Sequence, residues 1–463
     1  MLDADRQTLS NNDPLLKLRG LFFSKALIKK DRKQETTGRE MKSTKKKIIV
    51  ISAVAVAAIG LALTAVIAVK SSGTRTIGFY GLAENQTAAI RSILEESNRN
   101  LEKSVKLNFR NLDAGKKAEY QAKSVDLLFL SAGLSADRIT AMAGKKNDGK
   151  NFFEPAIIRS SSMSAASFAM TRKGADRNTI TQVPLLFDGY EILLSIQSIS
   201  ETRMKMLETW VDLEAFAENS KKFTPYPIIF AGGDDDCLLG VLSILVESFE
   251  GRETYEAMVE KIASYDGTMK DLVEELSSGN QPLEESLSRI LRWNRKEIFS
   301  TDMLRLGNDE ARNLIENFRS AVIMMSLSQH RQIAMNSVQK FTTLPIHTNE
   351  SSFYTPSIRP LNQRSLVAPA TVMISMTADE RTKKLAESMT TISAQEILCH
   401  ETGLSPLLAN CRIPDIQSDD IRFWIAATSQ PVVPIYDGAF SDSSRKAEFA
   451  AAVREWISSH CIK

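Results

Sequence analysis

An uncharged apolar segment near the amino terminus is the feature that most restricts how this 463-residue chain can fold. Residues 48–69 read IIVISAVAVAAIGLALTAVIAV, and as a helix they would span about 33 Å, enough to cross the hydrocarbon core of a bilayer. Lysines 45, 46 and 47 precede the segment and favour a cytoplasmic location for its amino-terminal end. We therefore expect residues 1–47 to be a basic cytoplasmic segment, or a misassigned start ahead of Met41, and the rest of the chain to be exported.

The apolar segment has two interpretations, and both stay open. Val66 and Ala68 suit cleavage by signal peptidase after Ala68, but the segment is longer than the usual signal core of about 7 to 15 residues. It is therefore either a cleaved signal sequence or an uncleaved membrane anchor. No cysteine lies near its end, which excludes a lipid-modified amino-terminal cysteine. In both cases the body is expected in the periplasm or at the extracytoplasmic face of the cell membrane.

The charge of the chain is divided unevenly between the leader and the body. Residues 1–47 carry 13 Lys and Arg against 6 Asp and Glu, whereas the part after residue 70 has 44 basic and 50 acidic side chains. The body is mildly acidic and lacks the basic surface that nucleic-acid binding requires, so no nucleic-acid partner is expected. Its 43% apolar and 25% charged residues are typical of a globular protein and exclude a polytopic membrane protein.

From residue 74 onward, short β-type runs alternate with amphipathic helical stretches. Residues 76–80, 105–109 and 125–130 read as strands, and residues 84–101 read as a helix with apolar positions near a 3.6-residue period. The alternation predicts a parallel α/β sheet covered on both faces. Further strands are expected at residues 184–187, 227–230, 321–325 and 366–376.

Signatures of catalysis are lacking. The sequence contains neither a G-x-S-x-G nucleophile elbow nor an H-E-x-x-H metal pair, and it has four histidines in all. We therefore expect a binding protein rather than an enzyme, with no metal and no cofactor.

The four cysteines, Cys237, Cys399, Cys411 and Cys461, leave another question open. In an exported chain, Cys399 and Cys411 would close the shortest disulfide loop. The alternative is that the cysteines are buried thiols.

An acidic cluster precedes the apolar helix expected at residues 237–249. In the first interpretation, Asp234, Asp235 and Asp236 cap that helix and complement its dipole. In the second, Gly233 lets the backbone approach a ligand while the carboxylates accept hydrogen bonds from paired hydroxyls. Both interpretations are retained.

Aromatic residues lie near the ends of expected strands. Phe79 and Tyr80 end the first strand, Tyr190 follows the strand at residues 184–187, and Trp424 lies in the stretch DIRFWI. Ligands of open α/β sheets bind beyond the carboxyl ends of the strands. Each aromatic residue alone is typical of a core, but together they indicate a cleft.

The order of these segments resembles that of the extracellular solute-binding proteins of ABC importers, in particular the sugar-binding family that includes maltose-binding protein. The resemblance covers about residues 75–463. The matching segments are TIGFYGLAENQTAAIRSILEE, VDLLFLSAG, PLLFDGYEILLS, ETWVDLEAFAENSKK, YPIIFAGGDDDCLL, NLIENFRSAVIMMSLS, ETGLSPLLANCRIPD and IRFWIAAT.

The resemblance implies an α/β, periplasmic-binding-protein-like fold with two lobes that close on a ligand like a Venus flytrap, preceded by the signal or anchor helix. The implied amino-terminal lobe comprises residues 75–185 and 366–404, and the carboxyl-terminal lobe residues 186–365 and 405–463. The implied crossing segments are residues 185–190, 362–366 and 404–410.

The resemblance also implies a set of ligand-binding residues in the cleft between the lobes. They are Phe79, Tyr80, Ser131, Gly133, Tyr190, Gly233, Asp234, Asp235, Asp236, Ser328, Gln329, Arg364 and Trp424. Trp424 matches a tryptophan that commonly stacks on a sugar ring. The family's usual Gly-Lys-Ala-Ala-Met is Arg-Ser-Ala-Val-Ile here, starting at Arg319, and the tryptophan that often follows is replaced around Ser328 and Gln329.

The expected function is that of an exported substrate-binding component of an ABC importer. It would bind a carbohydrate or similar polar solute between the lobes and deliver it to an ABC permease, with the membrane as a further partner if the leader is uncleaved. The departures near Arg319 motivate an alternative, an exported sensor or structural binding domain without a transporter. An exported hydrolase is a third possibility.

Overall fold

The computed structural model describes residues 73–146, 172–173, 180–196, 207, 209–343, 367–408, 410–413, 415, 418–419 and 431–461. The leader, Arg364, Trp424 and the crossing segment expected at residues 362–366 lie outside the described residues. Within the described ranges, no helix combines the length and the apolar character that crossing a membrane would require.

Eleven strands are described. They are β1 (Thr74–Tyr80), β2 (Lys106–Asn111), β3 (Leu127–Ser131), β4 (Arg172–Lys173), β5 (Ile180–Phe187), β6 (Tyr190–Ser195), β7 (Tyr226–Ile229), β8 (Ser320–Ser326), β9 (Phe341–Thr343), β10 (Ala370–Ser375) and β11 (Ser405–Pro406).

The described α-helices cover the sheets, and a short 3-10 helix runs from Thr301 to Arg305. They are α1 (Glu84–Arg99), α2 (Ala118–Ala122), α3 (Leu134–Lys146), α4 (Trp210–Ser220), α5 (Asp235–Glu250), α6 (Arg252–Ser264), α7 (Met269–Leu276), α8 (Glu284–Arg295), α9 (Asn308–Glu316), α10 (Leu327–His330), α11 (Met335–Val338), α12 (Glu380–Ser388), α13 (Ile392–Thr402), α14 (Ile435–Gly438) and α15 (Ser443–His460).

The first sheet has seven strands in the order β11-β5-β10-β3-β1-β2, and β4 pairs with β5 beside this path. Strand β1 pairs in parallel with β2 and β3, and Tyr80 lies opposite Leu130. Because parallel strands end at the same edge, Tyr80 and Ser131 lie side by side at the carboxyl edge of this sheet. We call this sheet and the helices on it the first lobe.

The second sheet has four strands in the order β7-β8-β6-β9. Strands β7 and β8 are parallel, whereas β6 is antiparallel to both β8 and β9. We call this sheet and its helices the second lobe.

Strand direction differs from the expectation of a parallel sheet. Parallel pairing is found for β1 with its two neighbours and for β7 with β8, but β10 is antiparallel to both β3 and β5. The sheets are therefore mixed. The strand expected at residues 366–376 begins only at Ala370, and an isolated bridge joins Val367 to Val432 instead.

Each lobe has its own hydrophobic core. In the first, Phe129 on the central strand β3 packs with residues of β1, β5 and β10 and of the covering helices. In the second, helix α5 is buried along nearly its whole length, between the capping residue Asp234 and Gly251, whose φ of +84° ends the helix. Residues 407, 408 and 411 pack in the first core, although the sequence analysis assigned them to the carboxyl-terminal lobe.

The backbone crosses from the first sheet to the second at Asp188 and Gly189, between β5 and β6. The Asp188 carboxylate accepts hydrogen bonds from the Gly189 N–H (2.8 Å), the Ser328 N–H (3.1 Å) and the Ser328 hydroxyl (2.5 Å). Burial raises the pKa of Asp188, and these bonds only partly oppose the shift. The crossing is thereby tied to the start of α10 in the second lobe.

A buried ionic group lies in the core of the second lobe. Arg289 donates to Glu214 at 2.7 Å, the Trp293 indole N–H donates to the same carboxylate at 3.0 Å, and the guanidinium lies 4.3 Å from the ring centre of Phe249. Arg289 and Glu214 are both almost fully buried. Arg289 also donates to the partly exposed Glu285 at 3.1 Å, and Lys296 lies 3.5 Å from Glu214, but the two buried charges are each other's main compensation.

We predict that Glu214→Ala destabilises the second lobe by about 3 to 5 kcal/mol, because it leaves the Arg289 charge buried without its main partner. The matched control is Glu218→Ala, which removes an exposed partner of Lys296 on the same helix and should cost less than about 1 kcal/mol. Urea unfolding followed by tryptophan fluorescence measures both. Equal effects of the two substitutions would contradict the prediction.

Candidate functional site

A cleft of about 160 Å³ lies where the carboxyl edge of the first sheet meets helices of the second lobe. Its lining is a mixture of aromatic, hydroxyl and charged side chains together with small residues. The lining residues are Tyr80, Gly81, Ala114, Leu130, Ser131, Ser135, Asp236, Tyr436, Asp437, Phe440, Ser441, Asp442, Ser443 and Lys446.

On the side of the first lobe, Tyr80 and Ser131 are brought together by the parallel pairing of β1 and β3. The Tyr80 hydroxyl donates to the carbonyls of Ala114 and Lys116, at 3.3 and 3.1 Å. Burial, followed by the charge of Glu119, raises the pKa of Tyr80, so the hydroxyl stays protonated and keeps its donor role.

On the side of the second lobe, the lining comes from the turn around α14 and from the start of α15. Tyr190 donates from its hydroxyl to that of Tyr436 at 3.0 Å, which fixes the Tyr436 ring at the cleft wall. Tyr190 itself packs against Gly240 of α5, where an added Cβ would lie 1.9 Å from the Tyr190 hydroxyl oxygen. Only glycine leaves room for this contact.

Asp236 and Lys446 form an ion pair across the floor of the cleft, with an N–O distance of 2.6 Å. The Asp236 side chain is half-exposed and lines the cleft. Burial by the surrounding protein raises the pKa of Asp236, while Lys446 opposes the shift. For Lys446, burial alone would lower the pKa, but the charge and hydrogen bond of Asp236, together with the charges of Asp437 and Asp235, outweigh it and the net shift is upward.

Among the carboxylates of the cleft lining, Asp437 has the fewest hydrogen bonds and opposite charges to stabilise a negative charge. Its Oδ2 atom is shielded from solvent and accepts no hydrogen bond, although the residue as a whole is half-buried. Burial, followed by the charge of Asp236, raises the pKa of Asp437 well above its ordinary value. A shielded carboxylate oxygen without a hydrogen-bond partner is costly for the folded protein.

The two lobes touch beside the cleft. Gly133 has a φ of +138°, and a Cβ on it would lie 2.2 Å from the backbone oxygen of Asp437 in the opposite lobe. A few residues further on, Arg138 donates to the Ser441 hydroxyl at 3.0 Å. The start of α3 therefore approaches the α14 turn as closely as the backbones allow.

Of the residues implied by the resemblance, the structure brings Tyr80, Ser131 and Asp236 together in the cleft lining, with Gly133 at its border. Phe79 lies elsewhere: it is 2% exposed and stacks between Phe109 and Phe129 in the first core. Alternation along β1 explains the difference, because Phe79 and Tyr80 point to opposite faces of the sheet.

The structure confirms the capping interpretation for Asp234 and gives the other two acidic residues different surroundings. Asp234 caps α5 by accepting from the Cys237 N–H at 2.8 Å, and Asp235 pairs with Arg454 at 2.7 Å. Gly233 allows close packing against the backbone of Arg305 rather than an approach to the cleft. Only Asp236 faces the cleft lining.

Ser328 and Gln329 lie at the crossing between the lobes rather than in the cleft lining. Ser328 binds Asp188, as described above. Gln329 forms a capping box with Ser326 and donates to Asn308 at 2.8 Å. Their hydrogen bonds position the second lobe.

Sequence reasoning missed the lining residues Tyr436, Asp437, Phe440 and Lys446. Lys446 lies near the start of α15, and the turn before this helix has no spacing pattern that indicates binding. The only available signal was Pro434 followed by Ile-Tyr-Asp-Gly, a typical turn sequence that places polar side chains at the start of a helix.

Two other cavities are less suited to a polar solute. One of about 30 Å³ lies inside the second lobe near Cys237 and is mostly lined by apolar side chains. The other, a groove of about 340 Å³ beside His400 and Arg412, lies on the surface of the first lobe alone. Neither joins the two lobes.

The structure favours the thiol interpretation of the cysteines. Cys237, Cys399, Cys411 and Cys461 form no disulfide, so the Cys399–Cys411 bond is not present. The first three are buried, and burial raises the pKa of Cys237 to about 12, which keeps its thiol protonated.

No protein-family model matches the chain, and no curated protein matches it in sequence. Solved structures do match it. The bacterial solute receptor AcbH, which has an exclusive preference for β-D-galactopyranose, superposes with a TM-score of 0.58 at 13% identity, over 84% of this chain and 98% of the receptor. The chain has the two-lobed fold of solute-binding proteins.

Two further structures support this assignment of the solute-binding-protein fold. A probable secreted solute-binding lipoprotein from Streptomyces coelicolor has a TM-score of 0.54 at 11% identity, over 84% of this chain and 98% of its own. The maltodextrin binding protein MalE1 from L. casei has a TM-score of 0.52 at 11% identity, over 85% of this chain and 100% of its own. The predicted α/β, two-lobed fold is confirmed.

We predict that Asp437→Asn stabilises the unliganded protein, and that the gain grows with pH. The folded-state pKa of Asp437 is raised, so its contribution to stability is full below the unfolded value of about 4 and is lost as the pH rises through the folded value. The variant should therefore differ little from the wild type near pH 4 and be more stable by roughly 1 to 3 kcal/mol near pH 8.

Urea unfolding at the two pH values measures this difference. The control is Asp309→Asn, which alters a carboxylate of the second lobe that is 80% exposed and should give a difference that changes little with pH. A gain for Asp437→Asn that is the same at both pH values would show that the carboxyl is not perturbed.

Proposed function

We propose that the exported body is the substrate-binding component of an ABC importer, which holds a carbohydrate or similar polar solute in the interlobe cleft and delivers it to a permease. The cleft carries this proposal: strand ends of one lobe and helix starts of the other meet around a small polar cavity. Hinge motion about the crossing segments would close the lobes on the solute. No chemical change of the solute is required.

The lining has the groups that a sugar needs. Ser131, Ser135 and Asp236 offer hydroxyl and carboxylate partners for sugar hydroxyls, and the rings of Tyr80 and Tyr436 offer apolar faces. The volume accommodates about ten water-sized spheres, which is roughly the size of one sugar ring.

Arg364 and Trp424 remain in the proposed ligand set on the resemblance alone. The residues implied by the resemblance that do not line the cleft are not proposed to contact the solute. They contact other parts of the protein instead.

We also propose an extracytoplasmic location and a revised lobe boundary. The first lobe would run from residue 73 to Phe187 and again from about Ala368 to Cys411, because these segments share one sheet and one core. The second lobe would contain residues 190–343 and 431–461.

A ligand screen tests the proposed function directly. The full chain is titrated with neutral mono- and oligosaccharides, polyols and amino-substituted sugars by calorimetry and thermal unfolding. A solute that binds the folded state at a concentration 100 times its Kd should stabilise the protein by about 2.7 kcal/mol. Absence of binding across the whole screen would overturn the proposal.

Transport distinguishes an importer subunit from a sensor. If the chain serves an importer, cells lacking it should lose uptake of the solute identified in the screen. Unchanged uptake, with binding intact, would favour the alternative of an exported sensor.

We predict that Asp236→Asn weakens binding of that solute about tenfold, because a charged hydrogen-bond acceptor in the cleft is replaced by a neutral one. Asp235→Asn is the matched control: it is the neighbouring residue on the same helix, but it faces Arg454 outside the lining, so affinity should change less than about twofold. Calorimetric titration measures both variants. Similar losses in the two would remove Asp236 from the site.

A further inference from the structure

Gly133 occupies a rigid part of the first lobe. It lies between Ser131 at the end of β3 and Leu134 at the start of α3, and its carbonyl accepts from the Asp137 N–H at 2.9 Å. Its φ of +138° is in a region that residues with a side chain rarely adopt. The strand end and the first turn of α3 therefore fix the position of this backbone.

The backbone on the opposite side of the contact is also held firmly. Asp437 belongs to α14, and the N–H of Ile435, the first residue of that helix, donates to the buried Ser243 hydroxyl of α5 at 3.0 Å. Just before α14, the Tyr255 hydroxyl of α6 donates to the Val433 carbonyl at 2.9 Å. Because α5 and α6 belong to the core of the second lobe, α14 moves with that lobe.

These two rigid surfaces limit how closely the lobes can approach each other. A Cβ atom on Gly133 would lie 2.6 Å from the carbonyl carbon of Asp437 and closer still to its oxygen. An alanine at this position would therefore have to move the two backbones apart by about 1 Å to reach an ordinary van der Waals distance.

The contact lies near the crossing between the lobes. The Asp188 N–H donates to the Pro369 carbonyl at 2.8 Å, and the Ala368 N–H donates to the carbonyl of Val432, which precedes α14 by a few residues, at 2.9 Å. A small displacement near a hinge becomes a larger displacement at the far rim of the cleft. The residue at position 133 therefore affects the width of the closed cleft.

A hydrogen bond between the lobes lies beside this contact. The Arg138 guanidinium donates to the Ser441 hydroxyl of the second lobe at 3.0 Å, and it lies 3.4 Å from the Glu119 carboxylate of its own lobe. Ser441 is 8% exposed, so the bond is charge-assisted and partly shielded from water. Moving the lobes apart would break this bond.

We propose that Gly133 sets how far the two lobes close, and that the Arg138–Ser441 hydrogen bond stabilises the closed arrangement without help from a solute. The inference rests on the lobe closure of the proposed function and adds how that closure is regulated. The apparent affinity for a solute depends on the fraction of the protein that is already closed. A side chain at position 133 would therefore lower the affinity for every solute.

Pulsed electron paramagnetic resonance on the full chain in detergent micelles measures the distance between the lobes. Spin labels are attached to Tyr120→Cys on α2 and Ser444→Cys on α15, both exposed positions. The background is Cys461→Ser, because the other cysteines are buried. Without added solute, the labelled chain should show a short-distance component from closed molecules. In Gly133→Ala this component should move to a distance longer by at least about 2 Å.

Controls separate closure from backbone strain. Gly279→Ala also places a side chain at a positive φ, +71°, but nothing lies within 4 Å of the added Cβ, so the short-distance component should stay unchanged. Ser441→Ala removes the hydroxyl that accepts from Arg138 and should lower the ratio of closed to open molecules at least about fivefold. Ser443→Ala, at an exposed neighbouring position, should leave the ratio unchanged.

The outcomes separate this inference from the proposed function, because the measurement needs no solute. A wild-type distribution without the short-distance component would contradict the inference, and so would a component that Gly133→Ala or Ser441→Ala leaves unchanged. An equal shift in Gly279→Ala would attribute the effect to strain and would also contradict it. If Gly133→Ala does not fold, Ser441→Ala decides. In each case the ligand screen decides the proposed function separately.

Discussion

The contact between Asp188 and the start of α10 is the interaction on which the arrangement of the two lobes depends. It lies at the point where the backbone passes from β5 to β6, so one buried carboxylate joins the end of one sheet to the helix that follows β8 in the other. Its three hydrogen bonds fix the direction in which the second lobe leaves the first. The position of the cleft follows from that direction.

The two lobes contribute different structural elements to the cleft. The first lobe contributes the end of a rigid parallel strand pair, and the second contributes a turn and two helix starts, which is where charged groups concentrate. This arrangement leaves the shielded Asp437 Oδ2 atom without a hydrogen bond, which costs the folded protein some stability.

The resemblance to solute-binding proteins predicted the two-lobed fold. Most strands were predictable from the residues themselves, because buried strands such as β3 and β8 are uninterrupted apolar runs. Strand direction could not be predicted the same way: an apolar run has the same pattern whether its neighbour is parallel or antiparallel, and β10 pairs with strands far away in the chain. Phe79 illustrates a related difficulty. It is adjacent to Tyr80 in sequence, yet alternation places one in the core and the other in the cleft.

Only those residues of the site that lie within a recognisable sequence pattern could be predicted. Asp236 was identifiable because glycines and a long apolar helix surround it, although the same pattern also suggested Asp234 and Asp235, which bind other parts of the protein. Tyr436, Asp437 and Lys446 line the cleft because of how the two lobes pack against each other. No local sequence pattern indicates that packing.

Strand β10 has a consequence for how the chain acquires its structure. It lies between β3 and β5 in the first sheet, but it follows the whole of the second sheet in the sequence. Until residues 370–375 emerge, β3 and β5 present unpaired edges, which are sites for unwanted association with other chains. The second sheet, whose strands are contiguous in the sequence, can form earlier. A chain of this topology is therefore expected to depend on holding chaperones until the residues of β10 are available for pairing.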